Sequence, residues 1–492
     1  MGNLRFKVTD PQKVDAKVWQ TAYITGMEGI PWLCRHQIRE DQFIISRELD
    51  ESGKLNIVWP TRTHGNLCLS TTSLRLREES YVLVVELARG TLSRLKTQTA
   101  EWQRMGMKLP DNFFPLAELS TKSFLRCVTS QNSQQQDQLA QQSIDAAVQA
   151  STVLCEAFAQ QALDSRKQSE GRLTTLLGVT LPPDMPLASI SEGLQKTFNL
   201  VNIKPDLGQV EESNGKANFA TFDVQADWAS QTQSKVCIGP MVDFRPGRLP
   251  KWMILLDDDY DNILRSACEH AETVVERYRG RVHIWNCAAG LNSPNKLKWT
   301  DEQVLRLAVS MIETVRRADS RTPVLLSIDQ PWSEYLRDNE QGISPLHFAD
   351  ALIRAELGLS GICLELALDQ WPGGSFPRDL LELNRLIDRW SMLGLPLMVQ
   401  LSSPSQAGSG TTNRVADWAN GLPSNGEINS GIVPAEAIVS LLVSKPSIHA
   451  IIWDQLTDQF PTSTEASGLW NQQGKAKPIL SHLLQLRKNY LH

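Results

Sequence analysis

Eight short apolar runs recur in the C-terminal two-thirds of the chain, and this repetition constrains the fold more than any other feature. They begin at residues 176, 200, 236, 282, 323, 361, 397 and 450. Stretches with helical spacing separate them, for example 262–278, 301–318 and 378–392. Near-continuous apolar strands that alternate with helices predict a parallel sheet covered on both faces. Eight such units in about 320 residues predict an α/β fold of the (β/α)8 type, a TIM barrel.

An open, doubly wound sheet would show the same alternation of strands and helices. Such a sheet commonly binds nucleotides through a glycine-rich loop after its first strand. Neither G-x-G-x-x-G nor G-x-x-x-x-G-K-[ST] follows the first run here. The nucleotide-binding alternative therefore has no support from a motif.

The N-terminal part of the chain has a different pattern. Short alternating or β-branched segments with turn residues between them predict strands within 18–24, 42–46, 55–59 and 67–70. Residues 81–105 and 130–168 carry apolar side chains at helical spacing. We therefore expect three domains: a β-sandwich-like domain at 1–85, a helical connector at 86–170 and the barrel at 171–492.

Composition excludes several classes of protein. Hydrophobic residues make up 41% of the 492 residues and charged residues 21%, which is typical of a globular chain rather than a disordered one. A net charge of −6 with no basic block argues against nucleic-acid binding. No apolar run approaches the roughly 18 residues of a membrane span, and no signal-peptide core is evident, so we expect no membrane association and a cytoplasmic protein.

The cysteines and histidines predict neither a disulfide framework nor a metal site. The eight cysteines show no C-x-x-C spacing, and several lie in apolar runs, as expected for reduced core thiols. The histidines at 270, 283, 347 and 449 are isolated from one another in the sequence. The sequence thus predicts no metal and no cofactor.

The run from Arg277 reads R-Y-R-G-R-V-H-I-W-N. It resembles the fourth-strand motif R-Y-K-G-x-I-x-x-W-D-V-x-N-E of glycoside hydrolase family 10, the xylanase family. The run from Gly468, G-L-W-N-Q-Q-G-K-A-K-P, is similar to the family's closing segment. Together with weaker similarities around 198–229, 249–253 and 318–323, the resemblance covers residues 171–492. It implies the same (β/α)8 fold and a carbohydrate substrate or ligand.

The resemblance fails at the catalytic positions. The family uses two glutamates, an acid/base after the fourth strand and a nucleophile at the end of the seventh. Gly290 stands at the first position, and Gln400, or Leu401 after a shift of one residue, stands at the second. Glycine cannot donate a proton, and neither glutamine nor leucine forms a glycosyl ester. The family mechanism cannot operate here with these residues.

The predicted carboxyl ends of the barrel strands nevertheless remain polar and aromatic, and functional groups of such barrels lie at these ends. Aromatic faces beside amides and carboxylates suit sugar rings. The candidate ligand-binding residues are Trp285, Asn286, Asn292, Asp329, Glu365, Trp371, Gln400, Trp453 and Asp454.

Each candidate has a structural alternative. Asp329 could cap the following helix, and Asp454 could cap or form a turn. Glu365 could point into the barrel or out toward the helices, and a buried glutamate is rare unless it is paired. Trp371 could pack a loop, and Trp285 could be a core residue.

Three functions follow from these observations. The leading hypothesis is a non-catalytic barrel, a pseudo-glycosidase, that binds an oligosaccharide or polysaccharide. The second is an O-glycoside hydrolase with a relocated carboxylate pair drawn from Asp243, Asp329, Glu365 and Asp454, which would require two carboxyl groups facing one cleft. The third is a structural or scaffold protein.

Overall fold

The computed structural model describes residues 2–8, 14, 16–39, 42–183, 185, 191–211, 215–255, 259–293, 297, 299–338, 342–368, 374–402, 433–459 and 467–492.

Two four-stranded sheets form the N-terminal part of the chain, as the sequence predicts. One sheet has the strand order β4-β5-β1-β8 and the other the order β3-β2-β6-β7. Alternating side chains of both sheets, such as Leu4, Ile45, Leu55 and Leu69, are buried in the same apolar core. The strands are β1 (Gly2–Lys7), β2 (Tyr23–Thr25), β3 (Pro31–Trp32), β4 (Arg35–Arg39), β5 (Gln42–Arg47), β6 (Lys54–Thr61), β7 (Gly65–Ser70) and β8 (Tyr81–Val82).

The strand predicted within 18–24 is wrong over its first half. A short helix, α1 (Ala16–Gln20), precedes β2. Trp19 is buried and packs edge-on against the ring of Phe43, with centroids 5.2 Å apart. One turn of helix and a short strand bury apolar residues at similar spacing, so periodicity alone does not separate them.

Three helices follow: α2 (Leu83–Arg104), α3 (Phe113–Thr129) and α4 (Ser133–Glu170). The Asn132 side chain caps α4 by accepting a hydrogen bond from the Gln135 amide at 2.9 Å. α4 packs against α2, α3 and two barrel helices, so the predicted connector also covers one side of the barrel. The sequence analysis did not predict α3. The three domain boundaries stay a prediction.

All eight predicted runs form strands of one closed parallel barrel, which confirms the (β/α)8 fold. The neighbour order is β10-β11-β13-β15-β16-β17-β18-β9. The barrel strands are β9 (Leu176–Thr180), β10 (Leu200–Ile203), β11 (Lys235–Ile238), β13 (Ile284–Asn286), β15 (Val324–Asp329), β16 (Gly361–Ala367), β17 (Leu397–Ser402) and β18 (Ile448–Trp453). Two short strands, β12 (Val242–Asp243) and β14 (Ala288–Ala289), pair with each other beyond β11 and β13.

Helices alternate with these strands along the described chain. They are α5 (Ser191–Thr197), α6 (Leu207–Val210), α7 (Ala220–Gln231), α8 (Lys251–Ile254), α9 (Tyr260–Tyr278), α10 (Asp301–Ala318), α11 (Pro345–Arg354), α12 (Leu380–Ser391), α13 (Ala435–Ser444) and α14 (Pro478–Tyr490), with a 3-10 turn at Glu334–Arg337.

The strand alternation decides which side chains enter the barrel. A separate apolar cluster of Leu200, Cys237, Leu325, Cys363 and Met398 fills its interior. Residues two positions further along each strand face the same way, toward the carboxyl end of the barrel. These positions hold Asn202, Ser327, Glu365 and Gln400, so the interior layer at the mouth is polar.

The N-terminal sheets pack against the barrel beside its mouth. The Cys34 amide donates to Arg337 O at 3.1 Å, and the Cys68 amide donates to Pro377 O at 2.8 Å. The Arg378 guanidinium lies between the Glu334 carboxylate and the Tyr23 hydroxyl, at 2.7 Å from each. This buried ion pair fixes the sheets onto the loops that follow β15 and β16.

Candidate functional site

Arg245 lies at the centre of the barrel mouth, where it joins three carboxylates. Its Nη2 is 2.5 Å from Asp243 Oδ2, and its Nε donates to both Asp243 oxygens at 2.8 and 3.0 Å. Its Nη1 lies 3.3 Å from Asp329 Oδ1 and 3.6 Å from Glu365 Oε2. Only 25% of the Arg245 side chain is exposed, so this is a nearly buried network of one guanidinium and three carboxyl groups.

A second ionic cluster is built around Asp454, just after β18. Lys204 follows β10 and places its Nζ 2.5 Å from Asp454 Oδ1. The same oxygen accepts a hydrogen bond from Gln400 Nε2 at 2.7 Å. Asp454 therefore holds together the ends of β10, β17 and β18, three strands that are not all neighbours in the barrel.

A chain of hydrogen bonds crosses the mouth from β13 to β16. Asn286 Nδ2 donates to Ser327 Oγ at 2.8 Å, and Ser327 Oγ donates to Glu365 Oε1 at 2.8 Å. Glu365 thus points into the barrel rather than toward the helices, which resolves the alternative that the sequence left open.

Burial and neighbouring charges set the pKa values of these carboxyl groups apart. Burial raises the pKa of Glu365 to about 7, although Arg245 and Lys204 partly oppose the shift. Burial also raises the pKa of Asp329. Burial alone would raise the pKa of Asp454, but Lys204 outweighs it and the pKa of Asp454 is lowered. The mouth therefore holds Asp454 as an anion and keeps Glu365 near its midpoint at neutral pH.

Three buried amide oxygens in the mouth accept no hydrogen bond within the described part of the chain. They are Asn202 Oδ1, Asn286 Oδ1 and Gln400 Oε1. The orientation of Gln400 is fixed by chemistry, because its nitrogen donates to a carboxylate that can only accept. Buried polar atoms rarely lack a partner, so these oxygens indicate places where a donor from a ligand or water would bind.

Gly290, which the sequence analysis aligned with the family's acid/base residue, acts as a backbone donor in the mouth. The Gly290 amide donates to Asp329 Oδ2 at 2.6 Å. Gly290 has φ +74°, and a Cβ there would lie 2.5 Å from the Arg245 amide nitrogen. A side chain cannot occupy this position without moving the loop that carries Arg245.

Asp329 and Asn292 form one rigid unit. Asn292 accepts from the Asp329 amide at 2.9 Å and donates to the Asp329 carbonyl at 2.8 Å. The 3-10 turn after β15 has Ser333, not Asp329, at its N-cap. The helix-cap alternative for Asp329 is therefore wrong, and Asn292 holds Asp329 in position through both atoms of its side-chain amide.

Two of the three candidate tryptophans, Trp285 and Trp453, are buried side chains, as the core alternative for Trp285 predicts. Trp285 is fully buried and donates through Nε1 to Asp319 Oδ2 at 3.0 Å. Trp453 is also buried and donates to Ser467 O at 2.8 Å. Both side chains point away from the barrel interior, because their strand neighbours Asn286 and Asp454 point into it. Trp371 lies outside the described residues.

Sequence reasoning missed the two cations of the mouth, Lys204 and Arg245. Lys204 is the first residue after β10, and Arg245 lies two residues after Asp243 at the end of β12. The carboxyl ends of barrel strands are where such side chains act, so their position after a strand was the available signal.

Two carboxyl groups, those of Asp329 and Glu365, lie close together in the mouth. Asp329 Oδ1 and Glu365 Oε2 contact the same Arg245 nitrogen, so they lie within about 7 Å of each other, which is compatible with an acid and a base. The guanidinium, however, lies between them and contacts both. A reacting sugar carbon could not sit there unless Arg245 moved.

Two further observations concern metals and membranes. No group of three or more His, Cys, Asp or Glu side chains in the described ranges is placed to hold a metal ion. Within the same part of the chain, no helix is long and apolar enough to span a bilayer.

All eight cysteines are free of disulfide bonds.

The sequence matches no protein-family model and no curated protein, whereas the structure is similar to solved xylanases. One is xylanase 10B from Thermotoga maritima, with 14% identity, 68% of this chain and 98% of that chain covered, and a TM-score of 0.45. Another is xylanase 10B from Thermotoga petrophila RKU-1 in complex with xylobiose, with 14% identity, coverage of 68% and 97%, and a TM-score of 0.46. A third is a GH10 endoxylanase from a sugarcane soil metagenome, with 12% identity, coverage of 66% and 99%, and a TM-score of 0.46.

All three of these solved structures are xylanases, and one of them is described as a GH10 enzyme, the family that the sequence resembles. Identity and TM-score at this level describe a similar barrel and do not transfer an activity, a substrate or a ligand.

Proposed function

We propose that the barrel mouth binds a polyhydroxylated ligand of the oligosaccharide class and does not hydrolyse it. The observation that carries this proposal is the set of three buried amide oxygens, Asn202 Oδ1, Asn286 Oδ1 and Gln400 Oε1, which accept no hydrogen bond in the described chain. A sugar hydroxyl is both a donor and an acceptor. Hydroxyl groups directed into the mouth would satisfy these oxygens and contact the carboxylates of Glu365 and Asp454.

The charges around Asp329 and Glu365 argue against hydrolysis. Retaining hydrolysis needs one carboxylate free to attack the anomeric carbon. Arg245 neutralises Asp329 and contacts Glu365, and Lys204 neutralises Asp454. The positions of the family glutamates hold Gly290 and Gln400, neither of which performs acid or nucleophilic catalysis.

A hydrolase with a relocated pair is the second candidate, and a specific observation favours it. Glu365 has a pKa of about 7, which suits a general acid, and it lies near a second carboxylate, Asp329. This mechanism requires ligand binding to displace the Arg245 guanidinium from between them.

A cytoplasmic location stays a prediction and agrees with eight unpaired cysteines.

Calorimetric titration with a panel of xylo-, gluco- and manno-oligosaccharides tests the proposal. Wild-type protein is compared with Gln400→Met, which removes one unpartnered oxygen from the mouth. The matched control is Gln225→Met, because Gln225 is also buried, donates to a backbone carbonyl at 2.9 Å and has an unpartnered Oε1, but lies on α7 outside the mouth.

The expected result is saturable binding that Gln400→Met weakens by about tenfold, the effect of one lost buried hydrogen bond, and that Gln225→Met leaves unchanged. Binding of no panel member at millimolar concentration would overturn the proposal. If Gln400→Met binds the oligosaccharide as tightly as wild type does, the barrel mouth is not the binding site. Hydrolysis that Glu365→Gln or Asp329→Asn abolishes would establish the relocated pair instead.

A further inference from the structure

A cleft of about 350 Å³ lies between the N-terminal sheets, α2 and the barrel. Its walls come from β2, β6 and β7, from one face of α2, and from Trp332, Arg378 and α12 of the barrel. None of the polar residues of the barrel mouth lines it. The volume is in the range of small-molecule sites, and the cleft lies where two parts of the fold meet, as such sites commonly do.

The cleft is cationic although the protein as a whole has a net charge of −6. Its two acidic lining residues are Glu101 and Glu382. Its basic lining residues are Lys54, Arg94, Arg378, Arg385 and Arg389. This excess of positive charge is local and is built from three different elements of the fold.

Three of the five cations have partners of their own. Arg378 pairs with Glu334 at 2.7 Å, and Arg94 contacts Asp379 at 3.4 Å and Glu382 at 3.2 Å. Arg385 lies 3.6 Å from the same Glu382. These carboxylates are therefore already engaged and leave little negative charge for the remaining cations.

Lys54 and Arg389 form no ion pair and no side-chain hydrogen bond within the described part of the chain, although both are only partly exposed. Burial lowers the pKa of both side chains, and repulsion from Arg385 adds to this shift while the nearby Glu382 carboxylate only partly opposes it. Two half-buried cations that repel their surroundings reduce the stability of the fold. Such an arrangement is explained if an anion occupies the cleft.

The walls also carry buried donors without acceptors. The N–H groups at Trp332 Nε1, Arg94 Nε and Arg378 Nε donate to no acceptor within the described residues, and all three residues line the cleft. Trp332 is 7% exposed, and the Arg94 and Arg378 side chains are 10% and 3% exposed. Hydroxyl donors of Thr72, Ser73, Ser93 and Thr97 lie around the same space. The cleft thus offers hydrogen-bond donors and positive charge that carboxylates do not fully balance.

We infer that this cleft binds a small molecule that carries an oxyanion, a phosphate or a carboxylate group, with Lys54 and Arg389 as its principal counter-charges. Guanidinium groups bind planar or tetrahedral oxyanions through paired hydrogen bonds, and the ammonium of a lysine adds a point charge. The site is independent of the proposed oligosaccharide site, because the two share no residue.

Calorimetric titration of the full-length protein with inorganic pyrophosphate, and separately with citrate, tests the inference. The variants are Lys54→Gln and Arg389→Gln. Arg306→Gln is the control, since Arg306 is a 59% exposed arginine on α10 that pairs with Asp261 at 3.2 Å and does not line the cleft. Melting temperatures without ligand are recorded for every variant.

We expect saturable binding of at least one probe, weaker by tenfold or more in Lys54→Gln and Arg389→Gln, and unchanged in Arg306→Gln. Binding should also weaken as the salt concentration rises. Without ligand, the two cleft variants should melt no lower than wild type, because each removes an uncompensated cation. Preference for pyrophosphate assigns a phosphate ligand, and preference for citrate assigns a carboxylate ligand.

Two results would overturn the inference. One is the absence of binding of both probes to wild-type protein at millimolar concentration. The other is binding that persists with unchanged affinity in Arg389→Gln and Lys54→Gln. Oligosaccharide binding at the barrel mouth should be the same in these variants as in wild type, so the two proposals fail or stand separately.

Discussion

Glu365 makes the stability of this protein depend on pH in a direction that a single substitution reveals. The pKa of Glu365 is about 7 in the folded protein, compared with 4.5 for an ordinary glutamate. At a pH between these two values, the Glu365 carboxyl holds a proton in the folded protein that it has released in the unfolded chain. Stability therefore falls as the pH rises through this window.

The size of the effect follows from the shift. Each pH unit in which the two states differ by one proton changes the free energy of unfolding by about 1.4 kcal/mol, so the window from 4.5 to 7 corresponds to about 3 kcal/mol. Glu365→Gln removes the titrating group and can still accept the 2.8 Å hydrogen bond from Ser327. The variant should be nearly as stable as wild type at pH 5 and more stable at pH 8.

Urea denaturation followed by tryptophan fluorescence at pH 5, 6, 7 and 8 measures this difference. Subtracting the wild-type free energy of unfolding from that of Glu365→Gln at each pH cancels the other titrating groups. The account predicts that this difference rises with pH by up to about 3 kcal/mol. A difference that stays constant, or that falls with pH, would refute the reasoning on the burial of Glu365.

Three further substitutions test the surrounding structure. Asp454→Asn should destabilise at neutral pH and lose its effect in acid, because the lowered pKa of Asp454 contributes stability only while the group is ionised; melting curves at pH 3 and 7 measure this. Gly290→Ala should cost about 1–3 kcal/mol in urea denaturation, since its Cβ would lie 2.5 Å from the Arg245 amide. Arg378→Met should cost about 3–5 kcal/mol in the same assay, because it leaves the buried Glu334 carboxylate without a counter-charge.

The barrel was predictable from the sequence because its strands are short, apolar and regularly spaced. The same regular pattern does not show which way an individual side chain points. Glu365 lies between Leu364 and Leu366, and this run of apolar, acidic and apolar residues reads the same whether the acid faces the interior or the helices. Only closure of the barrel, with Leu325 and Met398 filling its interior, fixes the orientation of Glu365.

Alternation could have corrected one error in the choice of ligand-binding residues. Trp285 and Asn286 are consecutive in one strand, as are Trp453 and Asp454 at the end of another, so the two members of each pair cannot face the same way. Choosing the polar member for the interior places the tryptophan outside it. Alternation gives no signal for Arg245, because it lies in a loop; only its position shortly after β12 could have indicated that it reaches the mouth.

Isothermal titration of the wild-type protein with the oligosaccharide panel, with product analysis of the same samples, tests whether the barrel mouth binds a sugar without cleaving it. The account predicts saturable binding at the barrel mouth and an unchanged oligosaccharide after prolonged incubation. It also predicts weaker binding in Gln400→Met but not in Gln225→Met. Release of shorter sugars by wild-type protein, abolished in Glu365→Gln, would contradict the account and show that the barrel cleaves what it binds.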